Sequence, residues 1–526
     1  MAVPTQLILP PSAARPPPGR RARGILMEPP ETTDGRHESL WIDTTPRTDF
    51  DPIDGDHQVD TVVVGGGIVG VTTALHLQEA GKSVALLEAN RIVEGVTGHT
   101  TAKLTAQHGL RYDDLITQHG EETARLYANA NQAAIEEVAG RVDAMDQNPE
   151  FERLPAYTYV EDEQLQGAVR AEVDAARRVG LPASFVRETD LPYEINCAVR
   201  FDDQAQFHPR KYLLGLVEEL DDDTVFEQTP LTDVEPGSPG RATTEHGTVE
   251  ADDVVLATHF PLVDPRLYYT RMRPKRSYVV TARLNESPPR GMYYRPTEPY
   301  YSIRPHPSAE GPLVLVGGES HKTGTGGSTA ERYRRLLRAV HRDFDVAQME
   351  YRWSTQDFVS LDGIPFVGRA DDGLYLATGF GGWGMTNGTV AGMLISDLIL
   401  GRENPWEKVY DPTRIKPLAG AKEMLGYNTK TAASFVKGWL STLPEEVDDL
   451  AAGEADVFRR RASPVAAYRD EDGTLHATSA VCTHKYCILD WNDGEETWDC
   501  PCHGSRFDVD GTVLSGPATE GLQRFK

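Results

Sequence analysis

Cysteine is scarce in this chain: five in 526 residues, four of them crowded between positions 482 and 502. A disulfide-stapled scaffold is therefore excluded, and the length instead leaves room for roughly three or four core-bearing domains. The fifth, Cys197, reads as a small buried hydrophobe. Lysine is scarce too. It supplies 12 of the 53 basic residues, against 80 acids and a net charge of −27. No basic stripe exists to neutralise phosphates, which excludes nucleic-acid binding as the main function. An acidic, lysine-poor surface reads as a halophilic adaptation to high salt, where self-repulsion is screened; steering of a basic protein partner is the competing reading. No apolar run reaches the roughly eighteen residues of a membrane span. No apolar stretch follows Arg20-Arg21, so an export signal is not expected, and the local use of cysteine points to the cytoplasm. Residues 1–26 contain no acid and many Arg and Pro; they read as a disordered extension, with Met27 as an alternative start.

What is present is concentrated at two ends. Cys482-Thr-His484 and Cys500-Pro-Cys502-His503-Gly-Ser505 bring two thiolates and two imidazoles together. Two Cys on one iron and two His on the other is the ligand set of a Rieske [2Fe–2S] centre. A Cys₂His₂ zinc site spaces its ligands as C-x₂₋₄-C and H-x₃₋₅-H, which this pattern does not match. A Rieske oxygenase would also need a mononuclear iron held by two His and a carboxylate, and no H-x₄-H pair lies outside the motif.

Near the other end, Val62-Val-Val-Gly65-Gly-Gly67-Ile-Val-Gly70 opens a helical pattern, and a second apolar run, Ser83-Val-Ala-Leu-Leu, ends at Glu88. This is β-turn-α-β with a G-x-G-x-x-G turn and an acid about twenty residues on, the dinucleotide-binding fingerprint. Gly65 permits the turn, Gly67 the approach of a pyrophosphate, and Gly70 close helix–strand packing. The phosphates belong on the helix N-terminus. Glu88 is placed to accept from ribose hydroxyls, and its charge argues against a 2′-phosphate.

Between them lie a hydroxyl-rich loop (Thr97–Thr105), a helical pattern from Tyr112 to Met145, an aromatic-rich stretch over 265–350, and Asp362-Gly-Ile-Pro365 leading into the glycine-rich run Thr378–Gly388. The expected division is a lead-in over 1–56 and a dinucleotide-binding region over 57–405. A linker over 406–445 follows, with a helix at Ala432–Leu440, and then a small β domain over 446–526. Within the dinucleotide-binding region, the cofactor core is expected at about 57–150, 190–264 and 351–405, and the substrate lobe at about 151–189 and 265–350.

On these motifs residues 58–400 resemble the D-amino-acid-oxidase-like flavoproteins, the glycine and sarcosine oxidase group, and the C-terminal motif resembles the Rieske proteins of cytochrome bc-type complexes. The resemblance implies a two-lobed α/β FAD-binding fold with an antiparallel-sheet substrate lobe, followed by an all-β Rieske domain. It implies FAD, with Thr97 and Thr101 along its pyrophosphate and ribityl, and Gly379, Trp383 and Gly384 bringing a helix N-terminus toward the flavin. It also implies a bridge between Cys487 and Cys502. The two departures are equally specific. Where amino-acid oxidases carry Gly-Leu-Arg-Pro before D-G-x-P, this chain has Arg352-Trp-Ser-Thr-Gln356-Asp357-Phe358, so the carboxylate-gripping Arg is missing or displaced. Lys485-Tyr486 stands where a Gly precedes the second Cys, so the first ligand loop is expected to differ in shape.

The catalytic candidates are His108, as base or structural neighbour, and Arg295 and Arg304, as carboxylate ligands. Surface arginines on a Tyr-rich sheet are the competing reading of the last two. The expected function is a dehydrogenase-like FAD-dependent oxidoreductase acting on a small amine, amino acid or hydroxy acid. Electrons leave through the cluster to an external acceptor, a protein or quinone-like molecule. A redox sensor or assembly factor without turnover is the alternative.

Overall fold

The computed structural model describes residues 35–525 except 265, 309, 415–420, 441–449 and 461–462, and, for side chains, 421–425 and 430. The extension expected over 1–26 lies outside the described residues.

The strand His57–Val64 sits inside an eight-stranded sheet in the order Phe366–Asp371, Leu374–Thr378, Thr248–Leu256, His57–Val64, Val84–Leu87, Val225–Phe226, with two further strands off Thr248–Leu256. Its central pairs run parallel. Buried on both faces, such strands read as continuous apolar runs, as Val62-Val63-Val64 and Val84–Leu87 do. Helices Ile68–Glu79 and Gly384–Ile399 cover one face. They touch closely because Gly388 and Gly392 carry no side chain: a Cβ at either would lie 2.6 Å from Ile68 or Thr72.

A ten-stranded, mostly antiparallel sheet forms the second lobe. Its backbone is the pair Met272–Leu284 and Val346–Ser360, continued by Leu313–His321, Tyr301–His306 and Met292–Arg295. Helix Thr329–Asp343 packs its apolar stripe, Tyr333, Leu336, Leu337 and Val340, on the aromatic side of this sheet. The strands depart from the expected division at three points. Lys103–Leu104, Cys197–Gln206 and the 351–360 part of Val346–Ser360, expected in the cofactor core, pair within the substrate sheet. Which sheet a strand joins is decided by its hydrogen-bonded neighbour, and local alternation does not encode that choice.

Two helical expectations change as well. The pattern from Tyr112 to Met145 divides into Tyr112–His119 and Glu121–Ala144 at Gly120, which takes φ +86°. The linker helix runs Ala421–Leu440, 20 residues, more than twice the length its apolar pattern at Ala432–Leu440 suggested. Gly426, Asn428 and Thr429 are poor helix formers and conceal its first turns.

The C-terminal part is all β: a three-stranded and a four-stranded sheet around Trp498, Phe507 and the cluster cysteines. The Asp-Gly turns fall where expected, Gly473 and Gly511 both taking positive φ. The chain is thus a two-lobed α/β domain followed by a small all-β domain.

Candidate functional site

At the nucleotide end the glycines do what the fingerprint requires. Gly65 takes φ +107°, and a Cβ on it would lie 2.6 Å from the Ala257 carbonyl oxygen. A Cβ on Gly70 would sit 1.9 Å from the Gly65 carbonyl oxygen. Gly67 is the N-cap of helix Ile68–Glu79 and offers no side-chain cap. The Thr97 hydroxyl accepts from the Ile68 amide at 3.2 Å. The Glu88 carboxylate accepts from the Gly66 and Asn90 amides at 2.8 and 3.0 Å, while burial pushes its pKa up. A bare glycine cradle facing a helix N-terminus fits a dinucleotide pyrophosphate.

This cradle opens into one cavity of about 520 Å³, lined by Gly65, Gly67, Glu88, Thr97 and Thr101 at one end and by Lys275, Tyr294, Tyr300, Asp357, Trp383 and Gly384 farther along. Residues Val513–Thr519 of the C-terminal domain complete its wall. The turn before helix Gly384–Ile399 runs through three left-handed glycines, Gly379, Gly381 and Gly382. Asp357 holds this turn: its carboxylate accepts from the Gly382 amide and faces the His259 ring at 3.3 Å. Gly379, the first of the three, is outside the cavity lining; a Cβ on it would lie 3.2 Å from the Met272 sulfur and 3.5 Å from the Ser360 Cβ.

The expected catalytic residues are not on the cavity wall. His108 stacks beneath Trp383, with ring centroids 4.7 Å apart, and is held by the Tyr127 hydroxyl and the Thr105 carbonyl. Burial pushes its pKa down to about 3, so it stands as a neutral support for the tryptophan. Arg295 pairs with Glu161 at 2.9 Å. Arg304 is buried, donating to the carbonyls of Ala102 and Phe207 at 2.6 and 3.3 Å. Neither guanidinium lines the cavity, so neither is placed to grip a substrate carboxylate there. Arg352 turns to the Tyr333 ring instead. The cations that do line the cavity are Lys103, which donates to the Tyr293 carbonyl, and Lys275, whose ammonium lies 5.3 Å from the Tyr300 ring centre. Burial lowers the pKa of both. Lys275, His259 and Asp357 carry no motif. Only their tertiary placement identifies them: Lys275 and Asp357 are paired across two strands, and His259 lies in the loop after Thr248–Leu256.

At the other end Cys482 and Cys500 are buried free thiols, whereas Cys487 and Cys502 are bonded to each other across a Cα–Cα distance of 6.4 Å. The His484 and His503 rings stand 5.1 Å apart and nearly perpendicular. The Nδ1 atom of each is buried without a hydrogen-bond partner. Burial lowers their pKa values to about 4 and about 3, which keeps both rings in the neutral, ligating form. The sulfurs of Cys487, Cys500 and Cys502 also lie close enough for one ion, but two of them are spent on the disulfide. Two free thiols and two unpartnered Nδ1 atoms therefore form the donor set, and it fits a Rieske cluster. Tyr486 takes φ +58°, the left-handed conformation a glycine would supply at this place. The first ligand loop thus retains its turn while carrying an exposed tyrosine.

The family described as FAD dependent oxidoreductase matches residues 60–398, and that described as Rieske [2Fe-2S] domain matches residues 442–526. YhfW of Bacillus subtilis strain 168, whose name is that of a Rieske 2Fe-2S iron-sulfur protein, is 36% identical over 93% of this chain and 97% of its own length. The gamma-glutamylputrescine oxidoreductase of Escherichia coli K12 is 26% identical over 67% of this chain and 86% of its own. In fold, the flavoprotein part is similar to glycine oxidase from Geobacillus kaustophilus, with a TM-score of 0.57 at 20% identity, covering 68% of this chain and all of that one.

Proposed function

The chain belongs to the FAD dependent oxidoreductase family and carries a C-terminal Rieske [2Fe-2S] domain, and from that premise we propose that it oxidises a small amine, amino acid or hydroxy acid and passes the electrons out through the cluster to an external acceptor. The observation that carries this reading is the shared cavity: its wall runs from the Gly65–Gly67 cradle past Trp383 to Val513–Thr519 of the Rieske domain. FAD supplies a two-electron acceptor and the cluster a one-electron carrier.

The chain's own residues supply position and exclusion. Gly67 and the Ile68 helix N-terminus hold the pyrophosphate, and Glu88 the ribose. Asp357 fixes the glycine turn that carries Trp383. Tyr294 packs edge-on to Trp383 at 5.3 Å and closes the cavity over it. Cys482, Cys500 and the Nδ1 atoms of His484 and His503 hold the cluster. Among the described residues no arginine lines the cavity. That favours an amine over an amino acid within the proposed range, as does the name of the Escherichia coli relative. The electron exit favours a dehydrogenase over an oxidase.

The test is anaerobic mixing of the holoprotein with panels of amines, amino acids and hydroxy acids. A substrate bleaches the flavin band first and the cluster band second. If the flavin bleaches with light and a photoreductant but with no compound of these classes, the catalytic reading falls and a sensor replaces it.

A further inference from the structure

The Rieske domain is fastened to the flavoprotein by residues that no motif singles out. The Asp493 carboxylate accepts from the amides of Thr329 and Ala330 at 2.6 and 3.1 Å and from the Ser328 hydroxyl at 2.6 Å. It thereby caps helix Thr329–Asp343 of the other domain, where orphan amides and the dipole favour an anion. Glu495 is paired with the buried Arg276 at 3.2 Å and accepts from the Tyr333 hydroxyl at 2.7 Å. The Glu495–Arg276 pair is interior, while the Asp493 cap sits at the exposed edge of the junction.

The ligand loops themselves face the flavoprotein. The Tyr269 ring stands edge-on to both His484 and His503, with centroids 5.6 and 5.0 Å away. The Tyr427 hydroxyl donates to the Cys502 carbonyl at 2.7 Å. Gln356 donates from Nε2 to the Gly504 carbonyl at 2.8 Å, and its Oε1 accepts from the Thr323 hydroxyl at 2.7 Å. Two glycines make the approach possible. A Cβ on Gly504 would lie 2.6 Å from the Pro274 Cβ, and one on Gly324 would lie 2.6 Å from the Pro501 amide nitrogen.

Gln356 and Asp357 are consecutive in the strand Val346–Ser360. Consecutive strand residues point to opposite faces. One therefore reaches the loop carrying His503, and the other reaches the glycine turn beside Trp383. A single peptide unit joins the two cofactor sites.

We propose that the Rieske domain of this protein works docked, without swinging, and that Gln356 is a positioning residue that holds the His503 loop against the flavoprotein for electron entry. The inference rests on the reading that electrons pass from the flavin to the cluster. Each passage moves one electron, oxidising the flavin side and reducing one iron, with no bond made or broken. Two passages restore the oxidised flavin, its protons going to solvent, and the external acceptor discharges the cluster between them.

The experiment uses the full-length holoprotein, photoreduced anaerobically by a flash, with cluster bleaching followed in time. Gln356→Leu, which keeps the bulk and removes both hydrogen bonds, slows bleaching by roughly tenfold, the usual scale for losing a contact outside a metal ligand. Flavin content, cluster paramagnetic spectrum and both midpoint potentials stay at wild-type values. Added glycerol leaves the wild-type rate unchanged, because no domain has to diffuse. Independently of any variant, the amides of Thr329 and Ala330 stay protected from hydrogen exchange in both the oxidised and the reduced protein. A wild-type rate in Gln356→Leu, a viscosity-dependent rate, or loss of that protection on reduction would overturn the proposal. A wild-type cluster that stays oxidised beside a reduced flavin overturns the function proposed above as well, and so separates the two failures.

Discussion

The two cofactor ends of this protein are built from opposite materials. The cluster end uses side chains: two thiols, two imidazoles and a disulfide, all supplied by two short loops within residues 482–503. The nucleotide end uses backbone: a helix N-terminus whose N-cap, Gly67, has no side chain, and glycines whose value is the absence of a side chain. A site of the first kind is destroyed by removing atoms, and one of the second kind by adding them.

The largest effect follows at the cluster end. Cys500→Ser or His503→Ala removes a ligand that no neighbour replaces, since the remaining nearby sulfurs are locked in the disulfide. The Rieske paramagnetic signal is expected to vanish while the flavin absorbance stays. Retention of the signal in either variant would break the donor set assigned here.

At the nucleotide end the equivalent change is an addition. Gly67 has φ −90° and ψ −170°, an extended backbone that a β-branched residue adopts freely. A Cβ there meets only the Thr97 hydroxyl, at 3.0 Å. Gly67→Val is therefore expected to fold with its cluster intact and to purify without flavin. Gly70→Ala instead drives a methyl into the Gly65 carbonyl and is expected to damage the fold itself. A Gly67→Val protein with full flavin absorbance would show that the cradle is not where the pyrophosphate lies.

This contrast also explains what could be read in advance. Side-chain ligands at short spacing are legible, so Cys482, His484, Cys500 and His503 stood out, and the glycine fingerprint stood out because its three positions serve one turn. Arg295 and Arg304 misled because an arginine among aromatics looks the same whether it faces a cavity or, as here, Glu161 and two backbone carbonyls. Asp357 and Gln356 were invisible: their roles exist only once the strand Val346–Ser360 lies between two sites far apart in sequence.

The junction between the ends comes next in size. Burial alone would raise the Glu495 pKa, but its hydrogen bond with His37 and the charges of Arg276 and Arg506 outweigh it and hold the carboxyl well below its ordinary value. Glu495→Ala leaves the buried Arg276 uncompensated and is expected to cost about 3–5 kcal/mol, read as a lower denaturation midpoint. The same sign governs pH. A carboxyl depressed in the folded state stabilises above its unfolded value of about 4.3, and that contribution is lost as pH falls below it. Acid should therefore loosen wild-type protein more than Glu495→Gln, and equal acid sensitivity would remove Glu495 from the junction.

The smallest effect tunes the cluster rather than breaking it. Ser505 is fully buried, its hydroxyl bonded with the Cys482 sulfur and accepting from the Ala518 amide at 3.0 Å. High-potential Rieske proteins add a tyrosine hydroxyl two residues later, and here that place is Phe507, buried in the same apolar core as the cluster cysteines. A hydrogen bond to sulfur stabilises the reduced, more negative cluster. One donor fewer is therefore expected to place this centre low in the roughly −150 to +300 mV range of Rieske centres, which a redox titration of the wild-type protein checks. Restoring a donor by Phe507→Tyr adds about 1 kcal/mol, an upward shift of roughly 40 mV for a one-electron couple. Ser505→Ala shifts it the other way. The Phe507→Tyr hydroxyl must also be housed in a packed core, so the measurement is paired with the midpoint of thermal unfolding. A potential that stays put in a variant of unchanged stability would mean that the position of Phe507, not its missing hydroxyl, sets the cluster apart.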